Sequence, residues 1–495
     1  MTYDLIIIGA GVVGGAVARR LSRYDLSILC LEKEVDVCCG TSKANTGIIH
    51  SPSLVPVRTL KAAMTVAGAS KFPRLSEELG FDYQKTGALV LGFSKDDESV
   101  MEKYIAAGIE NYRSAGAEPP EYRIIRGGEL RREEPSVNSR VVSALYAPDA
   151  GRIIPYEYGI ALWENAVENG VRLELGQCVS GLEALDEDEW IVRTTEKEYR
   201  ARYVVNAAGH GSPAIGRAAG FPDCLIQRVK GQYLILDRNK GPEINHILFQ
   251  VPQAGQKNKG KGILVTRTVY GNIMIGPDAR WQDDDTDTST DTEALRKVVE
   301  GALASVAELN PVECIKTFAG VRPKPESGDF IIESERNFIN LCGIESPGLT
   351  SSPAIAADVE IRLANMGMKF EACENYQPRR SPIVKQVLSL LPDELKKRID
   401  ADSGTEERLI CRCEQVPEKR ILDAISRGIP VTTIDGVKRR TRAGQGRCQG
   451  GFCGSRVRSL LAGKLGIPDD AVTQRGAEAP LDRVTAAEIR RLYKK

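Results

Sequence analysis

The sequence lacks both an excess of charge of either sign and a long apolar segment. Its 495 residues contain 67 lysines plus arginines and 67 aspartates plus glutamates, so the formal net charge is zero. This balance gives no support for a nucleic-acid partner, because such partners usually bind a strongly basic surface. No apolar run approaches the roughly 20 residues that cross a bilayer. We therefore expect no nucleic-acid partner and no membrane segment of its own.

A recognisable export signal is also missing. The apolar segment Leu5–Ile8 follows the first residues at once, without a basic region or a cleavage site. We therefore expect a cytoplasmic protein, which could reach the inner membrane face only through a partner. Its twelve cysteines are then expected as reduced thiols rather than disulfides. Cys30, Cys178 and Cys342 fall in apolar stretches and are interpreted as small core residues.

Histidine is scarce, which limits the choice of a catalytic base. His50, His210 and His246 are the three histidines of the chain, and histidine is the usual proton acceptor near neutral pH. Internal repeats and low-complexity tracts are absent as well. A chain of 495 residues is too long for one ordinary core, so we expect two or three domains.

The chain does contain a complete dinucleotide-binding pattern at residues 4–34, DLIIIGAGVVGGAVARRLSRYDLSILCLEKE. Gly9 permits a tight turn after an apolar strand, Gly11 lets the backbone approach a pyrophosphate, and Gly14 lets the following helix pack on the strand. A second apolar strand ends at Glu32, whose carboxylate can accept hydrogen bonds from a ribose diol. No second pattern of this kind follows, which favours one permanently bound FAD.

Four cysteines near the C-terminus form two close pairs. Cys411 and Cys413 have the spacing C-x-C, and Cys448 and Cys453 have the spacing C-x4-C. Four thiolates in two pairs can hold a metal ion or an iron–sulfur cluster. The short C-x-C pair fits structural zinc less well than a cluster, although zinc stays open as an alternative.

Three local patterns give structural expectations. Ser352 followed by Pro353 predicts the N-cap and first residue of a helix. Thr290 and Glu293 predict a capping box after an acidic run that lacks the spacing of a calcium-binding loop. The segment KRRTRAG (438–444) is strongly basic, either as a solvated face or as a docking site for an acidic redox partner.

Beyond the glycine turn, further segments resemble FAD-dependent oxidoreductases of the D-amino-acid-oxidase superfamily. They are CCGTSKANTGIIH (38–50), residues 151–182, YVVNAAGHGS (203–212), and residues 318–333 and 340–356. The resemblance implies an α/β fold, with a Rossmann-like FAD-binding domain of the glutathione-reductase type and an antiparallel-sheet substrate domain. It also implies that small and polar residues surround the FAD, namely Thr41, Ser42, Asn45, Val179, Gly209, Gly343, Gly348, Leu349 and Thr350.

The C-terminal region resembles bacterioferritin-associated ferredoxin, through ICRCEQVPEKRILDAI and DGVKRRTRAGQGRCQGGFCG. In that family the four cysteines ligate a [2Fe–2S] cluster in a small helical domain. The combination is similar to the catalytic subunits of anaerobic glycerol-3-phosphate dehydrogenases. The resemblance implies a small anionic substrate and a redox partner protein, which would be a second flavoprotein, a small cysteine-containing subunit, or both.

The same resemblance divides the chain. The oxidoreductase domain is expected at 1–370, with its FAD-binding part at about 1–82, 141–215 and 326–370 and its substrate domain at about 83–140 and 216–325. A linker at 371–407, a [2Fe–2S] domain at 408–465 and a tail at 466–495 follow.

The resemblance also implies the two catalytic residues. The family places the arginine of its G-x-R-P motif, here Arg322, over the flavin, where a guanidinium group can clamp a carboxylate or a polar head group. Related dehydrogenases have a histidine at the position of His50, which we therefore favour as the base.

The substrate follows only from the resemblance. Related enzymes carry an arginine soon after the histidine, whereas here Arg58 and Lys61 are the nearest substitutes, and many relatives have histidine in place of Tyr270. A 2-hydroxy acid such as L-2-hydroxyglutarate therefore competes with glycerol 3-phosphate, because KGQY and IGPDA also resemble that dehydrogenase. An amino-acid or amine oxidase and a non-catalytic electron carrier stay open.

Overall fold

A computed structural model describes residues 2–186, 189–252, 262–384, 392–400, 407–476 and 479. Its contacts divide the chain into two compact units, Met1–Ser381 and Pro382–Lys495. The polar segment 253–262, which the sequence predicts as an exposed loop, lies outside the described residues except for Gly262. Among the helices that are described, none is long and apolar enough to span a membrane.

The first unit contains two large sheets, a small third sheet and nine helices among its described residues. The helices are α1 (Val12–Leu21), α2 (Leu60–Ala69), α3 (Phe72–Leu79), α4 (Asp97–Ser114), α5 (Gly127–Glu133), α6 (Pro155–Glu168), α7 (Ser212–Ala218), α8 (Thr292–Ser305) and α9 (Gly348–Asn365).

Its strands run from β1 to β20 in chain order. They are β1 (Thr2–Ile8), β2 (Ile28–Leu31), β3 (Ile48–Ile49), β4 (Tyr83–Gln84), β5 (Ala88–Gly92), β6 (Arg123–Arg126), β7 (Ser143–Ala147), β8 (Gly151–Ile153), β9 (Arg172–Glu174), β10 (Val179–Asp186), β11 (Glu189–Thr194), β12 (Glu198–Asn206), β13 (Ile226–Leu236), β14 (Ile247–Gln250), β15 (Val265–Arg267), β16 (Ile273–Ile275), β17 (Arg280–Gln282), β18 (Cys314–Pro325), β19 (Ile331–Glu335) and β20 (Phe338–Cys342).

The first large sheet has a parallel centre. Its main order is β10-β11-β12-β1-β2-β9, and β20 joins β12 and β19. Strand β1 pairs in parallel with both β12 and β2, and β2 pairs in parallel with β9. The central strands are buried, as their continuous apolar sequences predict. Their carboxyl ends therefore meet at one edge, where ligands of such sheets usually bind.

The second large sheet is mostly antiparallel. Its order is β17-β13-β16-β15-β14-β5-β7-β6, with β18 beside β13. The longest pairing is antiparallel and joins β13 to β18, from Ile226 opposite Pro325 to Leu236 opposite Cys314. The predicted α/β fold with an antiparallel second sheet is thus confirmed.

Residues 371–381, which the sequence assigns to a linker, pack on the first unit. The Asp25 amide donates to the Glu371 carbonyl at 2.8 Å, and the Gln377 amide donates to Asn169 Oδ1 at 2.7 Å. Arg380 lies 3.4 Å from the buried carboxylate of Glu164. This segment therefore belongs to the packed structure of the first unit.

The second unit is small and helical, as predicted. It contains α10 (Pro392–Asp400), α11 (Glu418–Ala424), α12 (Ile434–Thr441) and α13 (Gly454–Leu465), with the short strands β21 (Leu409–Cys411) and β22 (Val416–Pro417). Residues from both strands and from helices α11, α12 and α13 share one apolar core.

Two predicted helix starts are wrong. Helix α9 begins at Gly348, so Ser352 and Pro353 lie inside it. Helix α8 is capped by Asp291, whose Oδ1 accepts from the Ala294 amide at 2.8 Å. The predicted cap, Thr290, instead contacts a threonine of β18. Helix α9 has Pro347 as its N-cap residue and no side-chain cap.

Two cysteine predictions are also wrong. Cys342 is buried but forms a disulfide bond with Cys224, 118 residues away in the sequence. Cys178 is exposed rather than buried, because it lies in the segment that leads into β10. Cys30 is buried inside β2, as predicted.

Candidate functional site

The glycine turn requires glycine at two of its three predicted positions. Gly9 has a φ of +102°, and a Cβ there would lie 2.6 Å from the Ala207 carbonyl oxygen. A Cβ on Gly14 would lie 2.1 Å from the Gly9 carbonyl oxygen. Helix α1 can therefore approach strand β1 only because both residues lack side chains.

The N-terminus of helix α1 is arranged to receive an anion. Its N-cap residue is Gly11, and its first turn contains no acidic residue. A Cβ on Gly11 would meet only Ser42 Oγ, at 3.2 Å, so the backbone stays open to close approach. The open backbone and the dipole of this helix end suit a pyrophosphate group.

Glu32 follows strand β2 at the same edge of the sheet. Its Oε2 accepts from the Ala10 amide at 2.6 Å, and its Oε1 accepts from the Glu34 amide at 2.9 Å. Burial raises the pKa of Glu32. These bonds fix the carboxylate beside the glycine turn, where its remaining lone pairs can accept from a ribose diol.

The polar residues of the segment 41–47 hold that segment between α1 and β18. Ser42 Oγ accepts from the Val12 amide at 3.0 Å, and Thr41 Oγ1 donates to the Val321 carbonyl at 2.8 Å. Asn45 braces the turn through Oδ1, which accepts from the Gly47 amide at 2.9 Å. Thr41, Ser42 and Asn45 thus shape the wall of the site through backbone contacts.

The start of helix α9 lies against His50. Thr350 Oγ1 accepts from the His50 amide at 3.0 Å and donates to the Ile48 carbonyl at 3.2 Å. The first turn of this helix, which includes Gly348 and Leu349, contains no acidic residue. A helix start of this kind favours a negatively charged group nearby. The predicted residues Gly348, Leu349 and Thr350 are therefore brought together with His50.

The imidazole of His50 is buried beside the loop before helix α9. Its Nε2 lies 3.5 Å from Ser346 Oγ, and its ring centroid lies 6.2 Å from that of Phe249. No local sequence pattern predicts Ser346 as a neighbour of His50, because the two residues are 296 positions apart.

Arg322 lies in β18 opposite Val229. Its Nε is buried and has no hydrogen-bond partner among the described residues. Tyr233 lies close enough for the Arg322 charge to act on it, although burial dominates and raises the pKa of Tyr233 to about 12. A buried guanidinium nitrogen without an acceptor is costly unless a ligand supplies one.

The other two histidines have structural partners. His246 Nδ1 lies 3.2 Å from Glu134 Oε2, and the Glu134 side chain is fully buried. His210 Nε2 lies 3.0 Å from the Val321 carbonyl and must donate to it, since a carbonyl oxygen only accepts. Burial lowers the pKa of His210. These contacts fix both rings.

The first two cationic residues after His50, Arg58 and Lys61, differ in their exposure. Arg58 is exposed. Lys61 is buried, and its Nζ lies 2.7 Å from Glu345 Oε1. The Tyr270 hydroxyl contacts both carboxylate oxygens of Glu157, at 3.0 and 3.1 Å. Lys61 therefore enters the site region as half of an ion pair.

Three further predicted residues lie at turns or strand ends of the first unit. Val179 begins β10 opposite Thr194. Gly209 has a φ of +59° in the turn after β12. Gly343 follows β20 with a φ of +65°, and a Cβ there would lie 2.7 Å from Pro325 Cβ.

The four cysteines of the second unit come together. Cys413 Sγ lies 3.8 Å from Cys411 Sγ and 3.9 Å from Cys448 Sγ. Two sulfurs that share one tetrahedral metal at about 2.3 Å would be about 3.8 Å apart. Cys411 and Cys453 are buried, and Cys448 is exposed. The spacing and chemistry of these thiols fit an iron–sulfur cluster.

Known protein families match both the region of the glycine turn and the region of the four C-terminal cysteines. The family described as FAD dependent oxidoreductase matches residues 4–359, and the BFD-like [2Fe-2S] binding domain matches residues 409–463. The predicted cofactors, FAD and a [2Fe–2S] cluster, are therefore confirmed, and the residues of each site are of the kind that such a group requires.

Individual relatives cover most of the chain. A glycerol 3-phosphate dehydrogenase of Caloramator mitchellensis is 41% identical over 94% of this chain and 95% of its own length. A glycerol 3-phosphate oxidase of Mycoplasma genitalium is 30% identical over 74% of this chain and 96% of its own length. An L-2-hydroxyglutarate dehydrogenase of Arabidopsis thaliana is 27% identical over 72% of this chain and 82% of its own length.

Among solved structures, the FAD-bound L-alpha-glycerophosphate oxidase of Mycoplasma pneumoniae matches with a TM-score of 0.72 and 26% identity. The match covers 78% of this chain and 100% of the oxidase chain. The fold, the glycine turn and the two family matches lead to one conclusion: the chain belongs to the FAD dependent oxidoreductases and carries a C-terminal BFD-like [2Fe–2S] domain.

Proposed function

We propose that this oxidoreductase is a dehydrogenase that oxidises a small hydroxylated anion, of the glycerol 3-phosphate type, and gives the electrons to a partner protein. The observation that carries the proposal is the buried Nε of Arg322, which has no acceptor within the described residues. The similarity to a glycerol 3-phosphate dehydrogenase over 94% of the chain supports this substrate class.

Each site residue has a proposed role. Arg322 binds the anionic group of the substrate and fixes the reacting carbon. His50 accepts the proton of the substrate hydroxyl as the carbonyl forms, and Ser346 orients the imidazole. FAD, when bound, takes the electron pair released from the C–H bond.

The FAD would be held by both helix starts and by the wall segment. The start of α1 and Gly9, Gly11 and Gly14 would hold the pyrophosphate, and Glu32 the ribose. The remaining contacts would come from Thr41, Ser42, Asn45, Val179, Gly209, Gly343, Gly348, Leu349 and Thr350. Cys411, Cys413, Cys448 and Cys453 would ligate the cluster, which carries electrons one at a time when bound.

A 2-hydroxy acid is the second substrate class that a specific observation favours. Lys61, one of the two cations available for a phosphate, is already paired with Glu345, and the other, Arg58, is exposed. A planar guanidinium such as that of Arg322 suits a carboxylate well. L-2-Hydroxyglutarate dehydrogenases are among the relatives of this chain.

Anaerobic stopped-flow absorbance of the flavin tests the proposal and ranks the substrates. Glycerol 3-phosphate, L-2-hydroxyglutarate and a primary amine would each be mixed with oxidised holoenzyme. We expect rapid bleaching with glycerol 3-phosphate, slower bleaching with the hydroxy acid and none with the amine. No bleaching with either anion would contradict the proposed reaction. In a separate air-saturated assay, fast peroxide release with the amine would instead indicate an oxidase.

A further inference from the structure

The half of the cluster domain that contains Cys448 and Cys453 is charged with one sign only. Residues 437–468 contain eight lysines and arginines and no aspartate or glutamate. This segment stands out because the whole chain has no net charge. A local field of one sign raises the concentration of oppositely charged partners near the surface.

Several of these cations serve the domain's own packing. Arg442 and Glu414 form a buried ion pair with 2.8 Å between Nε and Oε2. Arg440 donates to the Gly436 carbonyl at 3.1 Å within helix α12. Such contacts leave only part of the positive charge available to a partner.

Three other residues form a distinct surface, which we call the arginine–phenylalanine face. Phe452 is 46% exposed, although a large aromatic side chain is normally buried. The guanidinium carbons of Arg412 and Arg456 lie 4.4 and 4.8 Å from the centroid of its ring. Neither arginine forms an ion pair with a carboxylate in the described part of the chain. Cation–π contacts of this kind hold all three side chains in place.

Residues of the arginine–phenylalanine face are sequence neighbours of both cysteine pairs. Arg412 separates Cys411 from Cys413, and Phe452 directly precedes Cys453. Cys448 is the exposed member of the four cysteines. The face therefore lies next to the cluster ligands along the chain, and one of those ligands is exposed.

We propose that the arginine–phenylalanine face is the docking site at which an acidic redox protein receives electrons. The inference rests on the proposed function and adds the surface and the charge of the partner. An exposed aromatic ring with arginines at its edge has the composition of a binding hot spot. Oxidation of one hydroxyl group to a carbonyl releases two electrons and two protons, so two one-electron acceptors dock for each turnover.

The test uses the full-length holoenzyme, reduced with dithionite so that no substrate is needed. Its reoxidation by ferricyanide, an anion, and by hexaammineruthenium(III), a cation, is followed by stopped flow at low salt. We expect Arg456→Glu to slow the ferricyanide reaction about tenfold and to accelerate the ruthenium reaction. Both effects should fade at 1 M salt, where the screening length is about 3 Å.

The matched control is Lys464→Glu, which makes the same charge change at the exposed far end of helix α13. It should leave both rates within about twofold. Arg412→Glu provides a second variant, and iron content and the EPR spectrum of each protein establish that the cluster is intact. Equal effects of Arg456→Glu and Lys464→Glu, or no effect of either arginine variant, would overturn the proposal.

One further outcome would also reject the proposal that an acidic redox protein docks at the arginine–phenylalanine face. If Arg456→Glu slows substrate-driven reduction of the cluster but not its reoxidation, the face receives electrons rather than delivering them. A failure of the proposed substrate reaction would look different. It would abolish flavin bleaching in wild type and variants alike, and it would leave the dithionite experiment unchanged.

Discussion

At the scale of single residues, the lone buried nitrogen of Arg322 gives the sharpest prediction. Replacing Arg322 with alanine removes a charged hydrogen-bond donor worth about 1.5–3 kcal/mol. We therefore expect the KM for the anionic substrate to rise about tenfold to a hundredfold, measured by steady-state kinetics with an artificial acceptor. Lys324, two residues further along β18 and over the Trp281 ring, supplies the control Lys324→Ala. An unchanged KM in Arg322→Ala would show that Arg322 does not bind the anionic group of the substrate.

His50 gives a second prediction at this scale. A glutamine there keeps polarity but cannot accept a proton, so kcat should fall about 100- to 10,000-fold. The fall of kcat/KM at acid pH, which reports protonation of the base, should disappear. His246→Gln is the matched control, because His246 contacts the buried Glu134. His246→Gln should have a lower Tm but the same dependence of kcat/KM on pH as the wild type. If the fall of kcat/KM at acid pH disappears in His246→Gln, then His246 is the base.

Residue identities in the glycine turn were predictable, whereas the neighbours of His50 were not. The spacing of Gly9, Gly11 and Gly14 follows from a local turn, so the six residues 9–14 contain the information. Thr350 and Ser346 reach His50 from 300 and 296 positions away. Such residues come together only when the strands take their order in the folded sheets. No local pattern in the sequence predicts that order.

At the scale of elements, helix α9 contains a proline where a helix normally needs an amide donor. Pro353 cannot donate to the Leu349 carbonyl, and Ser352 Oγ donates to that oxygen instead, at 2.9 Å. We expect Ser352→Ala to destabilise the protein by about 1–2 kcal/mol, because it leaves a partly buried carbonyl without its hydrogen bond. Thermal unfolding of the holoenzyme measures this as a lower Tm.

A double substitution separates this effect from other contacts of the serine. In Pro353→Ala the restored amide can bond Leu349, so adding Ser352→Ala should cost clearly less than it does alone. Tyr158→Phe controls for the hydroxyl of Tyr158, which lies 3.2 Å from Ser352 Oγ. Equal costs of Ser352→Ala in both backgrounds would show that the carbonyl contact is unimportant.

The type of each major element was easier to predict than its first residue. The apolar segments of β1 and β2 and the buried face of α1 follow directly from sequence periodicity. The first residue of α8 was not predictable from the sequence, because Thr290 and Asp291 are both suitable N-cap residues. Asp291 takes the position because its amide donates to Gln232 Oε1 of the neighbouring strand, at 2.8 Å.

At the scale of the whole molecule, the contact division at Ser381 predicts that the first unit folds alone. A chain that ends after Ser381 should bind FAD and bleach with substrate like the full protein. It should lack the EPR signal of a reduced cluster, because all four cysteines of the C-terminal pairs are gone. A chain that ends after Phe370 is the comparison, since it loses the packed segment 371–381 and should have a lower Tm.

Both family matches were foreseeable from motifs, but the link between distant parts of the first unit was not. The disulfide joins Cys224, which precedes β13, to Cys342 at the end of β20. Nothing in the sequence distinguishes these two cysteines from the free ones, because 118 residues separate them. Their proximity results from the packing of two separate sheets.

The contact between Trp163 and the glycine turn has a practical consequence. The indole N–H donates to the Gly11 carbonyl at 3.2 Å, so a fully buried fluorophore lies beside the start of α1. The chain has only two other tryptophans, and one of them, Trp281, is half exposed. Ultraviolet emission from Trp163 should brighten when FAD is removed, and this change should be absent in Trp163→Phe. The fluorescence of Trp163 should therefore report the fraction of the protein that has FAD bound.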